Sequence, residues 1–300
     1  MPLVPRDGGH DENAASLANA SEIVLALLDA VAPRKLVEVG AFHGKGTRDL
    51  LDWAERTAAT VTAIDPAPEP ELVELAESST RLELILETSH EALPTIDDAG
   101  AIILDGDHNY FTLREELRII AEQAPGAALP LLILHDVGWP LARRDAYYAP
   151  ERIPEAHRRP LAHDVFVAPG EPGLVEGGLP FACVAVQEGG PENGILTAIE
   201  DFIGDSEELR LAVIPAFFGV GVLWDRRAPW AAAVAEVVDP WDRNPVLARL
   251  EANRVVHMVE RWRTREILSA SPNAFESSIV RSSASCSSCN RHRGIASASP

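Results

Sequence analysis

A short apolar segment followed by closely spaced glycines constrains this chain most strongly. Residues 35–47 read KLVEVGAFHGKGT, in which KLVEV is typical of a buried strand and glycines follow at positions 40, 44 and 46. A helical pattern begins directly after them. A strand, a glycine turn and a helix N-terminus in this order form a ligand site at the carboxyl edge of a parallel sheet. The segment therefore predicts an α/β fold with a ligand bound over this turn.

The spacing of the glycines limits the ligand. The dinucleotide fingerprint is G-x-G-x-x-G, with the amides of the turn facing a pyrophosphate. Here the order is G-x-x-x-G-x-G, and Glu38 stands two residues before Gly40. A carboxylate at this place repels a pyrophosphate and suits a cationic ligand. The alternative is a tight strand-to-helix turn in some other α/β protein.

Composition narrows the class of protein and of partner. The 300 residues are 46% hydrophobic and 24% charged, which is ordinary for a globular protein with one large α/β domain or two small ones. The net charge of −20 disfavours nucleic acid and anionic membrane surfaces as partners. The sequence contains no apolar run of membrane-spanning length and no apolar core of a signal peptide near its start. Three cysteines argue against a disulfide framework, so a cytoplasmic protein is expected.

Alternating apolar segments predict a doubly wound sheet. The first strand covers 35–40, and further strands are predicted at 60–64, 81–86, 101–104, 129–134, 181–187, 209–214 and 217–224. Helices are predicted at 14–31, 45–57, 69–77, 109–123, 193–203, 229–238 and 243–267. Residues 137–180 have little periodicity, and a segment of this length after the fifth strand is interpreted as a lid over the site.

Polar residues follow three of the strands. Asp65 ends the second strand, 25 positions after Gly40, where a carboxylate accepts hydrogen bonds from both ribose hydroxyls; an Asp-Pro turn is the alternative. Asp105, Asp107 and His108 follow the fourth strand, and His135-Asp136 follow the fifth. If these strands are neighbours, Asp105, Asp107, His135 and Asp136 converge at one edge. Oxygen-rich sets suit Mg²⁺ or Mn²⁺, and an imidazole shifts the preference toward Mn²⁺, Fe²⁺ or Zn²⁺.

The lid carries candidate contacts for a second ligand. Arginine binds carboxylate or phosphate in bidentate fashion, and tyrosine offers a ring and a hydroxyl. These residue types predict contacts to an anionic or sugar-like acceptor; in the alternative, the arginines pair with surface acids and the tyrosines pack the lid. The residues concerned are Arg143, Arg144, Tyr147 and Tyr148.

An ordered set of motifs resembles a known family. VEVGAFHGKGT, AIDP, LDGDHNY, LHDVGWP and LAVIPAFFGVGVLW occur in the order of the class I S-adenosylmethionine-dependent methyltransferases. The Asp-Gly-Asp-His-x-Tyr and His-Asp motifs resemble the branch that includes macrocin O-methyltransferase and cephalosporin-hydroxylase-like proteins. The resemblance covers roughly residues 20–225. It implies a three-layer α/β/α, Rossmann-like sheet of seven strands with a late antiparallel hairpin.

The resemblance also implies roles for single residues. Glu38 would meet the amino group of S-adenosylmethionine, Gly40 and Gly44 its backbone side, and Asp65 its ribose. Ser89 would lie near the adenine, although it is equally a plain helix N-cap.

The family's metal-dependent members ligate a divalent ion, Mg²⁺ or Mn²⁺, with residues at the positions of Asp105, His135 and Asp136. His135 departs from the acids usual there, and a buried core histidine is the alternative. His108 is the candidate base, with Asp105 in that role if no metal binds. A capped turn before the following helix is the alternative for Asp107-His108.

These motifs together predict the domain limits and the function. Residues 1–11 form an arm, 12–267 a methyltransferase domain with a lid insertion at 137–180, and 268–300 a disordered Ser-rich tail. Cys286, Cys289 and His292 in the tail supply three ligands where structural zinc takes four. The predicted function is O-methylation of a small-molecule or sugar-containing acceptor. A cofactor-binding protein without methyl transfer and an NAD(P)-dependent oxidoreductase are the alternatives, and a homo-oligomer remains open.

Overall fold

The computed structural model describes residues 15–270. Nine strands are found in this part of the chain: β1 Lys35–Val39, β2 Thr60–Ile64, β3 Leu82–Ile85, β4 Ala101–Leu104, β5 Leu131–His135, β6 Leu161–Val167, β7 Leu179–Ala185, β8 Leu209–Ile214 and β9 Val220–Asp225. The α-helices are α1 Ser21–Val31, α2 Lys45–Thr57, α3 Pro70–Ser78, α4 Ser89–Ala92, α5 Tyr110–Glu122, α6 Ile195–Ile203, α7 Ala231–Val238 and α8 Pro245–Ala270.

Seven strands form one sheet in the order β3-β2-β1-β4-β5-β9-β8. The first five are parallel, and β9 runs antiparallel to both β5 and β8. The fold class predicted from the sequence, a Rossmann-like methyltransferase sheet with a late antiparallel hairpin, is confirmed. The chain reverses its direction of travel across the sheet between β1 and β4, which is where open α/β sheets bind their ligands.

Helices cover both faces of the sheet, so its central strands are apolar along their whole length. Residues of β5 alternate between two cores: Leu131 and Ile133 pack with α1, α2 and α7, whereas Leu132 and Leu134 pack with α5 and α6. Every residue of β5 is buried. The two cores hold the sheet rigid and leave the loops at its carboxyl edge to form the site.

The segment after β5 is more regular than the sequence predicts. Residues 137–180 were expected to lack regular structure, but β6 lies within them and pairs antiparallel with β7 in a separate two-stranded sheet. The burial of β6 does not alternate: His163 and Asp164 are both exposed in its middle. Because the strand has no clean apolar face, its periodicity is too weak to be recognised in the sequence.

The whole predicted arm at 1–11 and all of the predicted tail beyond residue 270, with Cys286, Cys289 and His292, lie outside the described residues. The helix that begins at Pro245 continues to Ala270, a few residues past the predicted end of the domain. Among the described helices, none combines the length and the apolar character needed to cross a membrane.

Leu132 lies on the face of β5 that packs against α5, so its truncation should destabilise the protein. Leu132 is fully buried. We expect Leu132→Ala to lower the free energy of unfolding by about 2–5 kcal/mol, because it removes apolar contacts and leaves a cavity. Leu250→Ala, at a position that is 60% exposed, is the matched control and should change it by less than about 0.5 kcal/mol. Urea denaturation measures both, and equal losses would contradict this description of the core.

Candidate functional site

A cavity of about 1350 Å³ opens at the carboxyl edge of the sheet. It collects side chains from the ends of β1, β2, β4 and β5 and from the segment after β5. The candidate residues that line it are Glu38, Gly40, Asp65, Ser89, Asp105, His108, His135, Asp136 and Tyr148. Gly44, Arg143, Arg144 and Tyr147 are the candidates that do not line it. The structure therefore brings most of the candidate residues together in one cavity.

The glycine turn brings two strand ends into direct backbone contact. Gly40 has φ +81°, and a Cβ atom added to it would lie 2.0 Å from the carbonyl oxygen of Asp105. No side chain fits there, so a residue other than glycine would push the ends of β1 and β4 apart. Gly44 has φ +72° and stands at the start of α2, where its added Cβ would approach Leu72. Gly40 therefore shapes the cavity floor, and Gly44 shapes the turn behind it.

Glu38 is a buried carboxylate at the floor of this turn. It is 6% exposed, and its Oε2 accepts a hydrogen bond of 2.6 Å from the Thr47 hydroxyl. Burial raises the pKa of Glu38 to about 7, with a further rise from the charges of Asp105 and Asp65, while the Thr47 bond opposes the shift. Among the residues that the structure describes, no side-chain cation forms an ion pair with Glu38. A ligand cation placed beside it would supply the missing partner.

Asp65 holds the glycine turn in place from the neighbouring strand. Its Oδ2 accepts a hydrogen bond of 2.8 Å from the amide of Phe42, and its Oδ1 accepts one of 2.9 Å from the amide of Ala67. Phe42 has φ +44°, so the turn needs this external support. A carboxylate oxygen has two lone pairs, so each oxygen can still accept a bond from a ligand hydroxyl.

Ser89 is the first residue of the short helix α4, and Thr88, not Ser89, caps it: Thr88 and Glu91 form a capping box. The hydroxyl of Ser89 is therefore not needed by the helix end. It forms a hydrogen bond with Glu116, which is 3% exposed and carries a pKa raised to about 8 by burial, with Asp107 adding to the rise and the Ser89 bond opposing it. Glu116 Oε1 has no hydrogen-bond partner among the described residues.

Three side chains at the ends of β4 and β5 converge on one point. The ligand-type atoms of Asp105, His135 and Asp136 all lie within 4.8 Å of one another. His135 Nε2 donates to the carbonyl oxygen of Phe217 at 2.8 Å, which leaves Nδ1 facing Asp105 Oδ1 at 3.0 Å and Asp136 Oδ2 at 3.6 Å. A histidine fixed by a carbonyl on one nitrogen, with the other nitrogen between carboxylates, has the arrangement of a metal ligand.

The same cluster also holds a proton strongly. Burial alone would lower the pKa of His135, but the charges of Asp105 and Asp136 and the bonds to Asp105 and Phe217 raise it to about 10. Without a metal ion, His135 is therefore a cation at neutral pH that balances the two acids. The cluster accommodates a positive charge at its centre in either form.

His108 stands beside this cluster. Its Nδ1 lies 3.2 Å from Asp136 Oδ2, and its ring is 5.7 Å from the ring of Tyr148. Asn109 caps α5 by accepting from the amide of Thr112, and Asp107 accepts from Asn109 and from the Thr112 hydroxyl. The turn is therefore a capped one, as the alternative interpretation had it, and it also presents His108 to the cavity.

The paired arginines of the lid bind the protein itself. Arg143 donates to Thr197 and forms an ion pair of 2.6 Å with Glu200. Arg144 is fully buried and donates to the carbonyl oxygens of Ala185 and Pro172 at 2.7 Å each. These contacts occupy the guanidinium groups away from the cavity, so Arg143 and Arg144 are not placed to contact an acceptor.

The two tyrosines have different positions. Tyr147 is buried, and its hydroxyl donates to Asp145 Oδ2 at 2.9 Å and accepts from the amide of Arg159. Tyr148 is 78% exposed and lines the cavity next to His108. Of the four lid residues proposed to bind an acceptor, Tyr148 is the one in a position to do so.

Residues 145–148 join the lid to the turn that carries His108. Asp145 Oδ1 accepts from the amides of Tyr110 and Gly194 at 2.8 and 2.7 Å. The amide of Ala146 donates to the carbonyl oxygen of His108 at 2.9 Å, and the amide of Tyr148 donates to Asp107. On its other side, the segment bonds to Cys183 and Ala185 of β7. The lid hairpin and the turn after β4 are therefore one hydrogen-bonded unit.

Sequence reasoning missed two residues of this arrangement. Asp145 is fully buried, but after Arg143-Arg144 it has the local pattern of a charged surface segment. Phe218, which lines the cavity, lies in a turn with positive φ at both Phe217 and Phe218. The signal that could have identified Asp145 is its place between arginines and tyrosines in a segment already recognised as a lid.

One family model matches part of this sequence. Residues 37–137 match the model of a family described as a methyltransferase domain. This match runs from β1 to residue 137, which is the first residue of the lid segment. No functionally curated protein matches the sequence.

Solved structures of low similarity also match. An S-adenosylhomocysteine-bound methyltransferase of Podospora anserina, PaMTH1, is 13% identical, with 72% of this chain and 82% of that chain covered and a TM-score of 0.43. A putative caffeoyl-CoA O-methyltransferase from Staphylococcus aureus is 9% identical, with 69% and 83% covered and a TM-score of 0.41. Similarity at this level carries no argument about ligands or activity.

The buried bonds of Asp145 predict that its loss weakens the lid specifically. We expect Asp145→Ala to lower the free energy of unfolding by about 1–3 kcal/mol, because the amides of Tyr110 and Gly194 lose their acceptor. Amide hydrogen exchange should become faster in residues 107–110 and 145–148. Glu155→Ala, at an exposed acid of the same lid, is the control. Equal effects of the two substitutions on exchange would contradict this role of Asp145.

Proposed function

We propose that this protein is an S-adenosylmethionine-dependent O-methyltransferase that acts on a small molecule with assistance from a divalent metal ion. The observation that carries the proposal is Glu38, a buried acid at the floor of a glycine turn that forms no ion pair with any cation of residues 15–270. The match of residues 37–137 to a methyltransferase domain supports it.

The residues around the glycine turn fit this cofactor. Its ammonium group would pair with Glu38, and its ribose hydroxyls would donate to Asp65, as the positions of these carboxylates at the ends of β1 and β2 allow. The missing Cβ at Gly40 lets the ends of β1 and β4 lie close together, so that Glu38 and Asp105 line the same cavity. When bound, S-adenosylmethionine supplies a methyl group on a sulfonium, which is already activated toward a nucleophile.

The acid cluster fits a divalent ion. Asp105 and Asp136 offer carboxylate oxygens and His135 offers Nδ1, with its other nitrogen held by Phe217. A divalent ion at this point would lower the pKa of an acceptor hydroxyl. Two carboxylates and one imidazole favour Mn²⁺ over Mg²⁺.

His108 is the group placed to take the acceptor's proton. Its Nδ1 lies beside Asp136 Oδ2, so the tautomer with the proton on Nδ1 leaves the lone pair of Nε2 available. The carboxylate also stabilises the imidazolium that forms when Nε2 takes a proton. His108 reaches the cavity from the turn that Asp145 and Ala146 hold in place.

The raised pKa of Glu38 predicts a pH-dependent affinity for the cofactor product S-adenosylhomocysteine. The unliganded protein holds a proton on Glu38 below about pH 7, and a bound ammonium favours the ionised form, so binding releases this proton. The association constant should therefore rise between about pH 5.5 and pH 7, by at most about tenfold per pH unit, and then level off. Calorimetric titration at several pH values measures this.

Two variants separate this effect from general charge. Glu38→Gln should bind more weakly and lose the pH dependence, because glutamine keeps the shape but not the charge. Glu236→Gln, at an exposed acid on α7, should behave as the wild type. A Glu38→Gln variant with unchanged affinity and unchanged pH dependence would refute the proposed contact.

The composition of the acid cluster predicts its metal preference. We expect the wild type to bind Mn²⁺ more tightly than Mg²⁺, and His135→Asp to narrow this difference by about tenfold or more, because a third carboxylate replaces the imidazole. Asp105→Asn should weaken binding of both ions. Titration of the protein saturated with S-adenosylhomocysteine measures the affinities. Binding that none of these substitutions changes would place the ion elsewhere.

A further inference from the structure

The cavity is larger than one ligand needs. Pockets for a single small ligand typically measure about 300–1000 Å³, whereas this cavity measures about 1350 Å³. The cofactor would fill the part of the cavity at the ends of β1 and β2, which Glu38, Gly40 and Asp65 line. The space beyond the acid cluster, under the lid, is therefore available to the methyl acceptor, if the proposed function is correct.

The wall of this second space is apolar. It is formed by residues after β5, by the lid strand β7 and by the turn before β9. The residues are Pro140, Leu141, Leu179, Phe181 and Phe218. Behind the wall, Leu141 and Phe181 pack against Val167 and Val184 of the lid hairpin, and Phe218 packs against Val255 and Met258 of α8. The wall is thus the inner surface of two packed clusters and not a set of loose side chains.

Three arginines of the lid segment and its neighbourhood, Arg143, Arg144 and Arg159, bind other parts of the protein. Arg143 and Arg159 form ion pairs with Glu200 and Glu192, and Arg144 is buried against backbone carbonyls. The described lysine and arginine residues that line the cavity are Lys45 and Arg152. Lys45 begins α2 next to the glycine turn, and the charge of Arg152 acts on Glu91 at the rim. Neither belongs to the apolar wall.

The reacting end of the same space is acidic. Asp105, Asp107 and Asp136 line it together with His108. An acceptor with a carboxylate or phosphate would meet negative charge at this end and an apolar wall at the other, with no basic group of the wall to replace its water. A sugar would place several hydroxyls against leucine, proline and phenylalanine side chains, which leave them without hydrogen bonds.

We infer that the acceptor is an uncharged, largely apolar hydroxyl compound, and that this apolar wall excludes carboxylates, phosphates and sugars. The inference rests on the proposed function and narrows it. The acceptor's hydroxyl points to His108 and the acid cluster, its body lies on the wall, and Tyr148 covers it from the exposed side. The anionic or sugar-like acceptor expected from Arg143 and Arg144 is replaced by a neutral one, because those arginines are bound within the lid.

A matched series of phenols tests this inference. The probes are methyl 4-hydroxybenzoate, 4-hydroxybenzoate and 4-hydroxyphenyl glucoside, each titrated into the wild type saturated with S-adenosylhomocysteine and Mn²⁺. We expect the methyl ester to bind at least tenfold more tightly than the carboxylate and the glucoside. Equal or tighter binding of the carboxylate or the glucoside would overturn the inference, and so would no binding of the ester at millimolar concentration.

A positive charge introduced into the wall provides a second test of this inference. Phe181→Arg should reduce or reverse the preference for the ester over the carboxylate, because it supplies the missing cation. Leu250→Arg adds the same charge at an exposed position of α8 and should leave the preference unchanged. An unaltered preference in Phe181→Arg would overturn the placement of the acceptor on the wall. Failure of S-adenosylhomocysteine itself to bind the wild type would instead refute the proposed function.

Discussion

The approach of the Gly40 backbone to the carbonyl of Asp105 is the constraint on which the site depends. It sets the distance between the ends of β1 and β4. It therefore also sets the distance between Glu38 on β1 and the acid cluster, which includes Asp105 at the end of β4. Because the sheet order reverses between these strands, the two polar groups share one cavity while their strands stay packed in an apolar interior. A single added methyl group at Gly40 would disturb both halves of the site.

Charge is distributed unevenly around this point. Glu38 is buried without a cationic partner among the described residues, whereas Asp105 and Asp136 lie on either side of the His135 imidazole. Buried acids lower the stability of the folded protein. In this protein they lie at the carboxyl edge of the sheet and not in its two apolar cores. A cofactor ammonium beside Glu38 and a metal ion between the two aspartates would each relieve part of this destabilisation. The electrostatics of both places thus favour the binding of positive charge.

The lid belongs to the same structural unit as the turn after β4. Through Asp145, Ala146 and Tyr148, the segment that leads into the lid bonds to residues 107–110. A shift of the hairpin would therefore move His108, so the wall that we propose to contact an acceptor is mechanically linked to the candidate base. Residues 107–110 and 145–148 are far apart in the sequence, so this link forms only when the chain folds.

The sequence predicts those parts of the structure that depend on local pattern. Short motifs predict the glycine turn, the strand ends and the acids that follow them. The order of these motifs along the chain predicts the order of the strands in the sheet. The contacts of Arg143 and Arg144 cannot be predicted from local pattern, because their partners Glu200 and Ala185 lie more than 40 residues further along the chain. Strand β6 was missed because its burial does not alternate. The burial of Asp145 depends on the amides of Tyr110 and Gly194, which are distant in the sequence, so the residues next to it indicate its importance only through their place in the lid.

The binding of S-adenosylhomocysteine, compared with NADH, tests the central claim most directly. Both are titrated calorimetrically into the wild type and into Asp65→Asn at pH 7.5. We expect micromolar binding of S-adenosylhomocysteine by the wild type, weaker binding by Asp65→Asn, and no binding of NADH, since Glu38 stands where a pyrophosphate would lie. Binding of NADH without binding of S-adenosylhomocysteine would contradict the account and favour a dinucleotide-dependent protein.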